Sequence, residues 1–225
     1  MLPSVVIPVV VIAFFGLIGF LIYGSIQASK QRTADFEAIA QELGLQFFAK
    51  LNADSNLMER FAEFRLFTHR GQIANLTRGE TPQATLSIFD YTYSTGSGKN
   101  RRTHLQTVVA MESDRLQVPA FHLRPENVFD SIGHVLGFQD IDFDHHSGFS
   151  RAYVLKSEQS EDTRAFFDDP LLDFFVGQES ITFETCNGAF LYYRAGKTIQ
   201  PAALRDFLAQ GYTVFKAFTD RIARG

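Results

Sequence analysis

The first twenty-nine residues contain no Asp, Glu, Lys or Arg, and every charged residue of the 225-residue chain lies from Lys30 onward. This break constrains the chain more than any motif. Residues 5–26 read VVIPVVVIAFFGLIGFLIYGSI, apolar on every side with no helical stripe. A helix apolar all round belongs in a large core or in lipid. Nineteen residues, 8–26, span roughly 28 Å as a helix, close to the hydrocarbon thickness of a bilayer. Pro3 and Pro8 stand at the start, where a helix tolerates proline, and Tyr23 stands where an interfacial aromatic belongs. The expectation is a transmembrane anchor over residues 1–29, with its helix at about 5–26, followed by a soluble domain over residues 30–225.

A cleaved signal peptide fits less well. No Lys or Arg precedes the apolar run, and Gly24-Ser25-Ile26-Gln27-Ala28 is a poor cleavage site. Lys30 and Arg32 follow the run directly, so the positive-inside rule expects a single-pass protein of the cell membrane. Its N-terminus would be outside and its C-terminal domain cytoplasmic. Ala13, Gly16 and Gly19 offer a small-residue face for helix pairing, though not in GxxxG spacing.

Beyond the break, the periodicity expects α+β architecture, with antiparallel sheet packed by helices and closed by a C-terminal amphipathic helix. Residues 30–43 place Phe36, Ile39, Ala40 and Leu43 on one helical face. Residues 45–49 suit a strand, and Asp54 or Ser55 could cap a short helix after it. The period then changes to two, giving strands at 72–78, 84–93 and 103–112 joined by turn-rich segments. Phe89, Tyr91 and Tyr93 share one face of the middle strand and Leu86 and Ile88 the other, so that strand should be central. Further strands are expected at 118–123, 138–144 and 152–157. A helix opened by Pro125 should run to Leu136, and another over 162–175 should break at Asp169-Pro170, where Asp169 can cap the second piece. Asn187-Gly188 marks a hairpin between 180–185 and 189–194. From about Pro201, Leu204, Phe207, Leu208, Phe215, Phe218 and Ile222 form the apolar stripe of the last helix. The domain could hold two intimate halves, about 30–124 and 125–225.

The formal charge of −4 argues against general nucleic-acid binding, which needs a strongly basic surface. The single cysteine, Cys186, permits no intramolecular disulfide, and it reads as a packing residue. Twenty-four Phe and no Trp point to a Phe-packed core.

Two stretches suggest chemistry. Asp140, Asp142 and Asp144 alternate with Ile141 and Phe143 and precede His145 and His146, which makes Asp140, Asp142, Asp144 and His146 candidate metal ligands. A calcium loop starting at Asp140 fails, because the sixth position is His145 and the twelfth Arg151. The preferred reading is an amphipathic strand with the aspartates in water. Gly98-Lys99 suggests a phosphate loop, but Tyr93 stands where the first Gly belongs and Asn100 where Ser or Thr belongs. What remains is a hairpin tip with Lys99, Arg101 and Arg102, either a solvated turn or a contact for anionic headgroups. His69, His104 and His122 are scattered with no expected meeting point. Glu126 and Glu184 could pair in a cleft. No nucleophile elbow and no cofactor motif occurs.

The run FDYTYSTGSGKNRRTHLQTV (residues 89–108), with FHLRPENV, QDIDFDHH, FSRAYVL and FLYYR downstream, resembles a group of uncharacterised bacterial proteins that carry an N-terminal membrane helix. The resemblance implies a membrane-anchored domain and brings no activity or site residue with it. The leading reading is a non-catalytic protein- or lipid-binding module at the cytosolic membrane face. Its partners would be the bilayer, through residues 5–26, and a membrane protein. One alternative is a small-molecule binder or enzyme whose aromatic pocket uses Tyr91, Tyr93, Tyr192 or Tyr193. Another is a structural subunit of a membrane assembly.

Overall fold

The structure is a computed structural model that describes residues 6–51, 56–127, 139–178 and 180–224, with side chains in the first helix from Leu17 onward. Helix α1 (Val6–Glu42) leads into strand β1 (Gln46–Lys50), short helix α2 (Asn56–Arg60) and a 3-10 turn (Arg65–Thr68). A meander follows: β2 (Gln72–Glu80), β3 (Thr85–Thr95) and β4 (Arg102–Glu112). Then come β5 (Phe121–Pro125), β6 (Gln139–Ile141), α3 (Ser147–Ala152), β7 (Tyr153–Ser157), α4 (Ser160–Phe166) and α5 (Asp169–Val176). The hairpin β8 (Thr182–Cys186) and β9 (Ala189–Tyr193) precedes α6 (Leu204–Arg224).

Among the described residues nine strands join one antiparallel sheet in the order β1-β2-β3-β4-β9-β8-β5-β7-β6. The α+β class expected from the clustering of strands is therefore what the chain forms. Strand β5, the last strand of the expected first half, pairs with β7 and β8 of the second, and β4 pairs with β9. A single sheet thus runs through both halves.

The alternation of apolar residues explains the two cores. Phe89, Tyr91 and Tyr93 of β3, with Val108 and Ala110 of β4, face α2 and the 3-10 turn, where Phe61, Phe64, Leu66 and Phe67 cover them. Ile88, Val109 and Met111 face the other way, against Phe36 of α1 and Phe207, Val214, Phe215 and Phe218 of α6. β3 is buried on both faces because it is central, as its two apolar faces require. Asn187 (φ 46°) and Gly188 (φ 72°) both take the left-handed conformation that a two-residue hairpin turn needs.

Three local expectations are corrected. Pro125 is the last residue of β5 rather than the first of a helix, Glu126 and Asn127 form a turn, and residues 128–136 of that expected helix, like the proposed cap at Asp54 or Ser55, lie outside the described residues. β6 covers only Gln139–Ile141, because the chain turns and starts α3 at Ser147. Helix α5 is capped by Asp168, not Asp169: the Asp168 carboxylate accepts the Leu171 N–H, and Asp169-Pro170 opens the first turn.

Helix α1 is held to the sheet by one polar network. Arg32 makes a two-pronged ion pair with Asp90 on β3, with Nε and Nη2 each 2.7 Å from a carboxylate oxygen. Arg32 also donates to the Ile199 carbonyl (2.8 Å) and to Thr107 Oγ1 (3.0 Å). Asp90 accepts further bonds from Thr107 Oγ1 and from Asn75 Nδ2, and Thr33 Oγ1 donates to Asn75 Oδ1. Asn75 reaches α1 because it sits in a β-bulge with φ 52°, a conformation asparagine tolerates. The bulge also lets Ile73 and Leu76, three apart, point into the same core.

Asp90→Ala would leave the Arg32 guanidinium part-buried without its acid, and a loss of about 3 kcal/mol is expected. Thermal melts of the purified chain would measure it. Because the two groups act as a pair, Arg32→Ala/Asp90→Ala should cost little more than either change alone. Fully additive losses would contradict this account.

Candidate functional site

The direction of α1 defines the end of the sheet of most interest. Its C-terminal end lies beside β1, whose Gln46 pairs with Arg78, and Glu42 ion-pairs with Arg205 at the start of α6. Ten residues earlier, Arg32 is at Asp90. Towards its N-terminus the helix therefore runs in the same sense as β3, towards Tyr93 and the β3–β4 hairpin tip. From Leu17 to Lys30 every α1 residue is exposed. Among them Phe20, Tyr23, Leu21 and Leu17 are 73, 62, 60 and 57% exposed. The domain thus covers α1 only from about Arg32 onward and leaves an apolar sleeve uncovered. Among the described residues no helix is long and apolar enough to cross a membrane. Much of the charge-free run, including Ala13 and Gly16, has no described side chains.

The hairpin beside α1 carries the three cations singled out in the sequence. Lys99 lies in a 3-10 turn (Gly98–Asn100), Arg101 follows it, and Arg102 opens β4; all three are exposed. Gly96 (φ 72°) closes this tip, and a Cβ there would sit 2.5 Å from the Asn100 carbonyl oxygen. The base of the hairpin is stiffened by a stack: the Tyr93 ring lies between those of His69 (5.6 Å) and His104 (4.8 Å). Two of the three scattered histidines therefore meet, as packing groups on either side of a tyrosine.

The acidic-histidine stretch does not converge. Asp140 pairs with Lys156 across the β6–β7 ladder. His145 Nε2 is 3.1 Å from Asp169, and His146 Nε2 is 2.9 Å from Asp173. The Nδ1 of His146 accepts the Phe149 N–H, which caps α3. Asp142 and Asp144 are exposed, while Ile141 and Phe143 are buried. Among the described residues no group of three or more His, Cys, Asp or Glu could hold a metal ion.

The tyrosines offered as pocket handles are core residues. Tyr91 donates to the His69 carbonyl, Tyr192 to Gln210, and Tyr193 to Glu184. Cys186 donates to Glu63, and its thiol is pushed up to about 12 by burial and then by that carboxylate. This is an unreactive state.

Sequence reasoning missed a buried polar cluster on the core face that carries Tyr193. Glu184 of β8 is 2% exposed and accepts from Tyr193 Oη at 2.6 Å and from the Leu66 N–H at 3.4 Å. Burial pushes its carboxyl up to about 7, against the lowering effect of those hydrogen bonds. His122 of β5 stands opposite Glu184 in the ladder and is equally buried. Burial holds its imidazole well below the ordinary range, and Arg65, Arg124 and Lys156 add to that. Glu126 lies past the end of β5 and does not pair with Glu184. Nothing in the sequence marked the cluster, because it is made by strand order: β8 lies between β9 and β5. Its hydrogen bond to Leu66 ties the 3-10 turn to the sheet.

The opposite end of the sheet contains an open polar cleft of about 590 Å³, lined by residues that include Arg60, Glu63, Glu112, Arg115 and Asn187. There Glu112 pairs with both Arg60 and Arg78, while Arg115 is exposed.

The Glu184 carboxyl titrates near 4.5 when unfolded and near 7 when folded. The unfolded chain therefore releases the proton first as pH rises. The resulting stability is complete below about 4.5 and is lost as pH climbs through 7, on the order of 3 kcal/mol at most. Glu184→Gln keeps an acceptor for Tyr193 and removes the titration. Melting temperatures from pH 4.5 to 8 should show the native chain falling relative to the variant. Parallel curves would refute the assignment.

Comparison with known proteins gives a fold match only. No family model matches the chain. No curated protein sequence matches either. Among solved structures, the crystal structure of the mycobacterial trehalose monomycolate transport factor A aligns with a TM-score of 0.61 and 12% identity. The alignment covers 85% of this chain and 94% of that one, so the two share an overall fold.

Proposed function

We propose that this chain is a membrane-tethered, non-catalytic module that works in lipid handling at the cytosolic face of the membrane. The observation that carries the reading is the uncovered apolar sleeve of α1. Exposed apolar surface of this extent marks an interaction site. The sequence stays apolar throughout residues 5–26 with no polar stripe at helical spacing, which fits lipid better than a one-sided protein groove. The Arg32–Asp90 dock then holds the domain close to the bilayer at a set angle, with no flexible linker between them. Lys30 and Arg32 put the domain on the cytosolic side under the positive-inside rule. The lipid-handling part is supported by the shared fold with a protein named for transport of trehalose monomycolate.

An enzymatic role has less support. The strongly perturbed acid, Glu184, is sealed in the core, and of the candidate metal ligands Asp140 and His146 are committed to separate ion pairs while Asp142 and Asp144 are exposed.

Membrane fractionation with a reporter fused after Gly225 tests the reading. The full chain should remain with membranes through an alkaline wash. A reporter that works only in the cytosol should be active, and photoactivatable lipid should label the domain. Release by the alkaline wash, or activity of a reporter that works only outside the cytosol, would overturn the topology. Failure of lipid labelling with the topology intact would remove the lipid-handling part.

A further inference from the structure

The exposed cations of this acidic protein are not evenly spread. Lys99, Arg101 and Arg102 occupy the β3–β4 tip; Lys30 lies on α1 just above the dock. Arg70 precedes β2 beside the His69–Tyr93 stack, and Lys197 lies next to Thr107, whose N–H donates to its carbonyl. All six are exposed, and among the described residues none of their side chains has an ion-pair or hydrogen-bond partner. At the other end of the sheet Arg60, Arg78 and Arg205 are all paired with acids. The six come from four separate segments, so their meeting is a product of the fold. Glu126 and Asp142, acids at the same end, lie on the β5–β6 side, at least three strands from β4.

We propose that this rim is a docking surface for anionic phospholipid headgroups, fixed against the bilayer by α1. The proposal rests on α1 being the anchor. Arg32 lies six residues from Ile26, roughly 9 Å along the helix. Arg102 lies five strand residues beyond Thr107, which Arg32 touches, a reach of roughly 17 Å in the same sense. The tip is thus long enough to enter the headgroup layer that flanks the hydrocarbon. Arg32 is itself committed to Asp90, so among the described residues Lys30 is the cation left free on the helix flank and the hairpin adds three more. Unpaired, exposed cations held on a stiff hairpin keep their charge available to phosphate, whereas at the far end Arg60, Arg78 and Arg205 are already neutralised and, among the described residues, Arg115 stands alone. The favoured source of that phosphate is the leaflet itself, because the tether holds the rim there at high local concentration. Each basic residue at such a surface contributes about fivefold to the contact equilibrium.

The test reconstitutes the full chain, carrying Cys186→Ser and a fluorophore on Ser97→Cys, into vesicles that contain a headgroup-borne quencher. The vesicles are phosphatidylcholine alone or phosphatidylcholine with one third phosphatidylglycerol. Quenching of the tip is expected only with phosphatidylglycerol. It should be abolished near roughly 1 M salt, where the screening length is about 3 Å. Lys99→Gln/Arg101→Gln/Arg102→Gln should weaken contact by about a hundredfold without changing the melting temperature. Arg115→Gln, at the opposite end, should leave the quenching unchanged. If the chain floats with both vesicle types and the tip is quenched equally in each, or in neither, the headgroup proposal is wrong while the anchor stands. If the chain does not float with vesicles at all, the anchor reading fails and takes this proposal with it.

Discussion

The Arg32–Asp90 pair sets the geometry on which the rest of the molecule depends. A helix that begins in apolar sequence ends as a strut on the sheet, and the junction is made by charge rather than by grease. The physical reason is directional: apolar packing through Phe36 and Ala40 would hold the helix down but allow it to slide or rotate. A guanidinium clamped by two carboxylate oxygens, a threonine and a backbone carbonyl fixes its height and angle. The bulge at Asn75 serves the same junction, since it turns one β2 residue towards the helix and interrupts the ladder.

The two cores divide the work. One packs α1 and α6 on the sheet with a dense set of Phe rings. The other seals α2 and the 3-10 turn over β3, β4 and β9, and carries the Glu184–Tyr193 bond at its margin. A buried carboxyl in such a place looks like a catalytic acid when judged by its titration alone. Its geometry says otherwise: both oxygens are occupied by groups of the fold, and it has no surface to offer a substrate. The contrast between the two ends of the sheet is more informative about function. One end pairs Arg60, Arg78 and Arg205 with acids, and the other leaves a cluster of cations free beside the uncovered helix.

Much of the architecture was legible in the chain. The charge-free opening, the period-two run around Phe89-Tyr91-Tyr93, the Asn187-Gly188 turn and the stripe of α6 all follow from local physics: solvation, side-chain alternation and turn conformation. The errors were also local. Pro125 suits the first turn of a helix and equally the last residue of a strand, and only the partners β7 and β8 decide between them. Asp168 and Asp169 are both good caps, and backbone geometry chose the first.

By itself the sequence determined the apolar opening, the antiparallel α+β class and the identity of the exposed hairpin cations, because each depends on residues near one another in the chain. Tertiary structure alone decided which charges meet. Arg32 and Asp90 are 58 residues apart, and Leu66 and Glu184 are 118. Arg70, Lys99 and Lys197 share a rim for the same reason: strand order brings distant residues together, and no local rule of periodicity or propensity encodes that order.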